Sequence, residues 1–139
     1  MNSGDRSMSL GYSPCPNDTF LFYALVHGQL PQAPLFDEVL KDVETLNGMA
    51  SREELDVVKV SFHALGHFLD RYCLLHSGGA LGRGCGPLVV AAREMDPGDL
   101  ASTCIAIPGR LTTAALLLRL FLPGERELVE IPFDRIMSA

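Results

Sequence analysis

Three times in this chain a short apolar run stops at breaker residues and a helical pattern starts within a few positions. Met8 to Leu10 leads into Gly11-Tyr-Ser-Pro-Cys-Pro-Asn-Asp18, after which Phe20, Tyr23, Ala24 and His27 recur at helical spacing. Val57 to Val60 ends at Ser61, and a helical pattern runs from Phe62 to Leu69. Cys104 to Ile107 ends at Pro108-Gly-Arg-Leu-Thr-Thr113, where a third helical run starts and continues to Leu122. Proline neither continues a strand ladder nor sits inside a helix, so Pro14 and Pro16 fix the first boundary. Strands alternating with helices at this spacing specify an α/β fold with mostly parallel strands in a mixed sheet.

The remaining pieces fit the same rhythm. Phe36 to Val43 and Arg71 to His76 read as strands, and Leu46 to Leu55 as a helix with Asn47 near its start and Arg52, Glu53 and Glu54 on its wet face. Val57 to Val60, apolar except for Lys59, suits a central buried strand. Ser77 to Gly86 holds five glycines in ten residues and reads as a loop. Pro87 to Arg93 is expected to be a strand, Asp96 to Asp99 a turn, and Leu128 to Ile131 a strand. Another helix is expected to open across 130–137. The 139 residues, 47% of them hydrophobic, suffice for one core.

Charge and hydropathy exclude some functions. A net charge of −6 leaves no basic footprint for nucleic acid. The longest apolar run, Leu111 to Leu122, is interrupted by Thr112, Thr113 and Arg119 and is too short to cross a bilayer. Met1 to Ser7 lacks the apolar core of a secretion signal, which predicts a cytoplasmic protein. The four cysteines, at 15, 73, 85 and 104, form no close pair, so free structural thiols are expected rather than zinc ligands.

Each strand-to-helix turn leaves unpaired backbone N–H groups and a positive dipole end, and the two together attract anions. Asn17 or Asp18, Ser61, and the pair Thr112 and Thr113 place amide, carboxylate or hydroxyl groups at those starts. Ordinary capping accounts for each one singly; one shared anion-binding cleft accounts for all three together. Arg110, in the loop before Thr112, suits either a substrate carboxylate or solvent.

Other constellations carry less. Gly82-Arg-Gly-Cys-Gly86 contains G-x-G, but a strand rather than a helix is expected after it, so a crossover is preferred to a nucleotide loop. His63 and His67 have the four-residue spacing of a two-histidine metal site. The general base of an H-E-x-x-H motif is missing, no third ligand is indicated, and no metal is assigned. Asp18 and Asp56 fall at opposite ends of their elements, so spacing does not pair them for acid–base work.

Several segments resemble the 1,4-dihydroxy-6-naphthoate synthase family, enzymes of the futalosine route to menaquinone. They are Ser13-Pro-Cys-Pro-Asn-Asp-Thr-Phe20, Val43-Glu-Thr-Leu-Asn47, Asp56 to Ala64, Tyr72 to Leu75, Ser77 to Leu88, and Pro108 to Ala114. The resemblance implies a fold like that of type II periplasmic binding proteins. Residues 1–92 would be most of a first lobe and 93–139 the start of a second. It implies a lyase that converts cyclic de-hypoxanthinylfutalosine to 1,4-dihydroxy-6-naphthoate without metal or organic cofactor. Its partner would be a small-molecule carboxylate substrate, and a homo-oligomer remains open. Substrate-binding positions then map to Asn17, Asp18, Ser61, Thr112 and Thr113. The family's base is a histidine in the second lobe, expected past Ala139, since no histidine here follows His76. Members are about twice this long, so the chain is read as the N-terminal portion of a longer enzyme, inactive by itself. A non-catalytic small-anion-binding protein of the same fold and the related chorismate dehydratase are the alternatives. The Ser13 to Phe20 segment favours the synthase over both.

Overall fold

The structure, a computed structural model, describes residues 7–138; the stretch Met1 to Arg6, read above for a secretion signal, lies outside the described residues. The first half is organised on β1 (Met8–Tyr12), which pairs in parallel with β2 (Phe36–Leu40) on one side and β3 (Val57–Val58) on the other. Leu10 and Tyr12 point into the core and are buried. Helices α1 (Pro16–Val26), α2 (Val43–Ser51) and the single turn α3 (Phe62–Leu65) link and follow these strands. The second half pairs β4 (Ile105–Ile107) in parallel with β5 (Leu128–Glu130), joined through α4 (Thr113–Phe121). Short 3₁₀ segments cover Asp99–Ser102 and Phe133–Ser138.

The α/β class and the parallel pairings follow the sequence pattern; the arrangement of strands does not. The strands form two small parallel sheets rather than one, and the central strand is β1. Val57 to Val60 are half-buried, and the regular part of this run, β3, lies at a sheet edge among the described residues. Gly11 explains why β1 takes the middle. A Cβ there would meet Leu46 Cδ2 at 2.9 Å and Leu55 Cδ1 at 2.5 Å, so bare backbone lets α2 and the chain after it close over the sheet.

Two expected strands are absent. Arg71 to His76 and Pro87 to Arg93 form no ladder, and Leu88, Val89 and Val90 are exposed. A strand requires a partner for its backbone groups as well as apolar side chains. The expected helix from Leu46 to Leu55 lies earlier, because Asp42 caps it: its carboxylate accepts from the N–H groups of Glu44 (3.1 Å) and Thr45 (3.0 Å). Asn47 is therefore mid-helix, and Glu53 and Glu54 follow the helix end.

Helix α1 exposes the side expected to pack. Phe20 and Tyr23 face outwards, while Asp18 and Phe22 turn inwards and Phe22 lies 4.7 Å from the Tyr12 ring. Apolar residues surround this helix on all sides, so periodicity alone could not select the packed face. All four cysteines are free and exposed, and none fills the core.

Two small cores result. Ala50, Ala64 and Phe68 pack with Val58, Val60 and Tyr72; Ile107, Ala115 and Leu118 pack with Ile105, Leu122 and Leu128. Leu111, from the loop before α4, packs against the first of these and so joins the two halves.

Candidate functional site

The first turn puts Cys15 at the N-cap and Pro16 at the first helical position, where a missing N–H costs nothing. Asp18 is thus inside the first turn and does not cap it. Its Oδ2 accepts from the Ser13 hydroxyl (2.7 Å) and N–H (3.3 Å), and its Oδ1 pairs with the Lys59 ammonium. Only 4% of Asp18 is exposed. Burial opposes its ionisation, but the Lys59 ammonium and the Ser13 donors outweigh this and hold the carboxyl below 3.8.

A second set of bonds is centred on α2. Glu44 and Asn47 stand three residues apart, on one helix face. Asn47 is fully buried, and it is satisfied at both ends of its amide. Its Oδ1 accepts from the Ser61 N–H (2.9 Å), while Nδ2 donates to Ser61 Oγ (3.1 Å) and to Glu44 Oε2 (3.0 Å). The other Glu44 oxygen accepts from the N–H of Leu111 at 3.2 Å, across to the second half of the chain. Gly109 makes room for this crossing, since a Cβ there would collide with the Glu44 carboxylate.

The third set joins α3 to α4. Thr112 caps α4: its hydroxyl accepts from the Ala115 N–H (3.2 Å) and donates to the Gly109 carbonyl (2.7 Å). That hydroxyl is buried and engaged at both roles. Thr113 Oγ1 accepts from the His63 N–H at 3.4 Å, and His63 Nδ1 lies 3.2 Å from the Thr112 carbonyl. A carbonyl only accepts, so the proton of neutral His63 resides on Nδ1. Ser61, although it stands at the N-cap of α3, makes no cap bond; its oxygen accepts from Asn47 instead.

The structure therefore brings Ser61, Thr112 and Thr113 to one junction beneath α2, while Asp18 pairs with Lys59, two residues before Ser61. Asn17 is not drawn in. It is exposed beside an open groove lined by Pro16, Phe20, Leu21, Ala80, Leu81 and Gly82. The anion-seeking turn before α4 already receives a carboxylate of the chain itself, that of Glu44. Arg110 pairs with Glu130 at 2.7 Å, in an exposed position. Glu44, Asn47, Lys59 and His63 were not among the expected site residues. Lys59 was signalled by standing alone in an apolar run; Glu44 and Asn47 share a helix face only because α2 starts at Val43, earlier than the sequence pattern placed it. Among the described residues no three His, Cys, Asp or Glu side chains converge as a metal site, and no helix follows the glycine segment directly.

A family model described as "Menaquinone biosynthesis" matches residues 8–139. The chain is 50% identical over 138 residues to a 1,4-dihydroxy-6-naphthoate synthase of Streptomyces coelicolor, covering 96% of this chain and 48% of the relative. It is also 50% identical over 132 residues to the enzyme of that name from Thermus thermophilus, covering 95% and 47%. A crystal structure of a protein from Archaeoglobus fulgidus superposes with a TM-score of 0.89 at 39% identity, over 99% of this chain and 50% of that one. The chain thus spans about half the length of the curated relatives it matches.

Proposed function

The chain belongs to the menaquinone-biosynthesis family, and from that premise we propose that it supplies the substrate-holding part of a lyase. The reaction is conversion of cyclic de-hypoxanthinylfutalosine to 1,4-dihydroxy-6-naphthoate, with release of the sugar-derived part. The names of its two curated relatives support the product. In this reading the fold is the periplasmic-binding-protein type, with residues 1–92 in one lobe and 93–139 opening a second, each with one of the two cores described above. A cytoplasmic location belongs to the same proposal; among the described residues no helix is long and apolar enough to cross a membrane.

One observation carries the proposal: hydroxyls from two different halves of the chain meet at a junction whose supporting bonds are complete. Ser61 Oγ is held by Asn47 as an acceptor, and its own hydrogen has no acceptor among the described residues. It is therefore set to donate to a substrate oxygen. Thr113 sits one residue inside α4, where the helix dipole adds to its pull on a carboxylate. Thr112 shapes the turn through its cap, and Asp18 keeps Lys59 in place from below. Asn17 faces the outer groove, where a larger portion of the substrate would pass. The elimination itself needs a general base, which we assign to a histidine outside these residues.

The test is complementation. The chain is co-expressed with the remaining half of the Thermus thermophilus relative, and naphthoate formation is followed by chromatography. Turnover is expected only when both parts are present, with Ser61→Ala lowering it roughly tenfold or more through loss of a charge-assisted bond. Turnover by the chain alone that disappears in His63→Ala would move the base into this half and overturn the assignment.

A further inference from the structure

His63 and His67 come together in a way that their spacing alone did not establish. Their Nε2 atoms lie 3.4 Å apart, closer than the ring centroids at 5.2 Å, so the two nitrogens face one another. Two nitrogens bound at 2.0–2.1 Å to one tetrahedral metal stand about 3.3–3.4 Å apart. The observed gap therefore matches the bite of a tetrahedral ion seated about 1.2 Å off the line between them.

The outer contacts fit the same role. His63 Nδ1 donates to the Thr112 carbonyl, which fixes the tautomer that leaves Nε2 as the free lone pair. Metal-binding histidines are held in this way by a carbonyl or carboxylate behind them. His67 is exposed, so its proton can move from Nε2 to Nδ1 on the solvent side without any net proton release. Without metal, the pair is joined by one hydrogen bond at the long end of the range.

We propose that His63 and His67 form a two-imidazole site for a borderline divalent transition ion, zinc or cobalt(II), completed by water. Imidazole nitrogens and a tetrahedral bite favour such ions over magnesium or calcium, which take oxygen ligands. Because the His63 N–H donates to Thr113 and its ring to Thr112, a bound ion would clamp α3 onto the start of α4. The proposal needs no assumption about the reaction.

The four exposed thiols would compete for the same metals, so the test uses the full chain after alkylation with iodoacetamide. Cobalt(II) and zinc are titrated while the visible spectrum and the imidazole NMR signals of all four histidines are recorded. One ion per chain is expected, with the zinc-induced shifts confined to His63 and His67. His67→Ala, at an exposed position, should weaken binding by at least about tenfold, as even outer-shell losses do. A tenfold excess of magnesium should leave the titration unchanged. Undiminished affinity in His67→Ala, equal shifts at His27 or His76, or no spectral change up to millimolar metal would each overturn the proposal.

Discussion

The junction beneath α2 and the segment across residues 73–98 are built from the same kinds of residue and obey different rules. At the junction, Asn47, Asp18 and Thr112 hold their polar atoms in partnered bonds, and bonds from Glu44 and His63 cross to the second half of the chain. Across 73–98 there is no helix or strand, and Leu74, Leu75, Leu81, Leu88, Val89 and Val90 all face outwards. The second region contains the strand-like run Leu88-Val-Val-Ala-Ala92 and is yet the less structured. Apolar side chains make a strand or a core only when another element stands opposite them. Polar side chains with fixed partners order the first region instead.

The sharpest way to break this contrast is to remove one partner of the buried pair. Lys59→Met leaves Asp18 ionised without its cation, at a cost of about 3–5 kcal/mol. Chemical denaturation at neutral pH measures it. The acid limb gives a sign as well. Asp18 is held below 3.8 in the folded protein, so its contribution is complete above that value and fades as pH falls through the lowered one. Loss of Lys59 lets burial raise the Asp18 carboxyl. The deficit of the variant should then shrink on acidification, because Asp18 becomes protonated in both proteins. A deficit that stays constant from pH 7 to pH 3 would show that Lys59 acts by packing alone.

Next comes Asn47→Ala, which strips Ser61 of both its amide contacts and Glu44 of one. Buried groups left unpaired cost about 1–3 kcal/mol. Amide hydrogen exchange at Ser61 should speed up with the global loss of stability, whereas amides between residues 73 and 98 should not change. Equal acceleration in both regions would mean that the segment leans on the junction, contrary to the contrast drawn here. A smaller loss is expected from Thr112→Val. It keeps the shape and removes the cap of α4, worth about 0.5–2 kcal/mol.

These cases also show how far residues in order can predict a site. The strands β1, β2, β4 and β5 and helix α4 were legible because a short apolar run bounded by breakers has few other uses. Thr112 was legible as a cap for the same local reason. Glu44 was not, because its partner is the N–H of Leu111, 67 residues away, and nothing near Glu44 announces it. Asp42 was misread for a different cause: Val43 extends the apolar pattern of β2, so the cap that begins α2 was absorbed into a strand. The face of α1 could not be chosen because both faces are apolar. The missing strand at Pro87 to Arg93 has the opposite origin, a strand-like sequence with no neighbour to pair with among the described residues.

The smallest effect expected is also the most direct check on the second region. Leu88→Ser replaces an exposed leucine in a stretch without ladder bonds. Surface positions away from caps, cores and buried bonds usually change stability by no more than about 0.5 kcal/mol. The same exposure should guide proteolysis. Trypsin needs exposed backbone that can enter its cleft, and Arg83 and Arg93 are exposed and lie outside any helix or strand. Arg71, by contrast, is tied to the Ser51 and His67 carbonyls and stacks 5.4 Å from Phe68. Lys59 is bound to Asp18. Brief digestion should therefore cut after Arg83 or Arg93 first, and leave a fragment that retains β1 to α3. If Lys59 or Arg71 is cut first, or if Leu88→Ser costs more than about 2 kcal/mol, the segment is packed in solution. The contrast between a bonded polar junction and an exposed stretch without helix or strand would then fall.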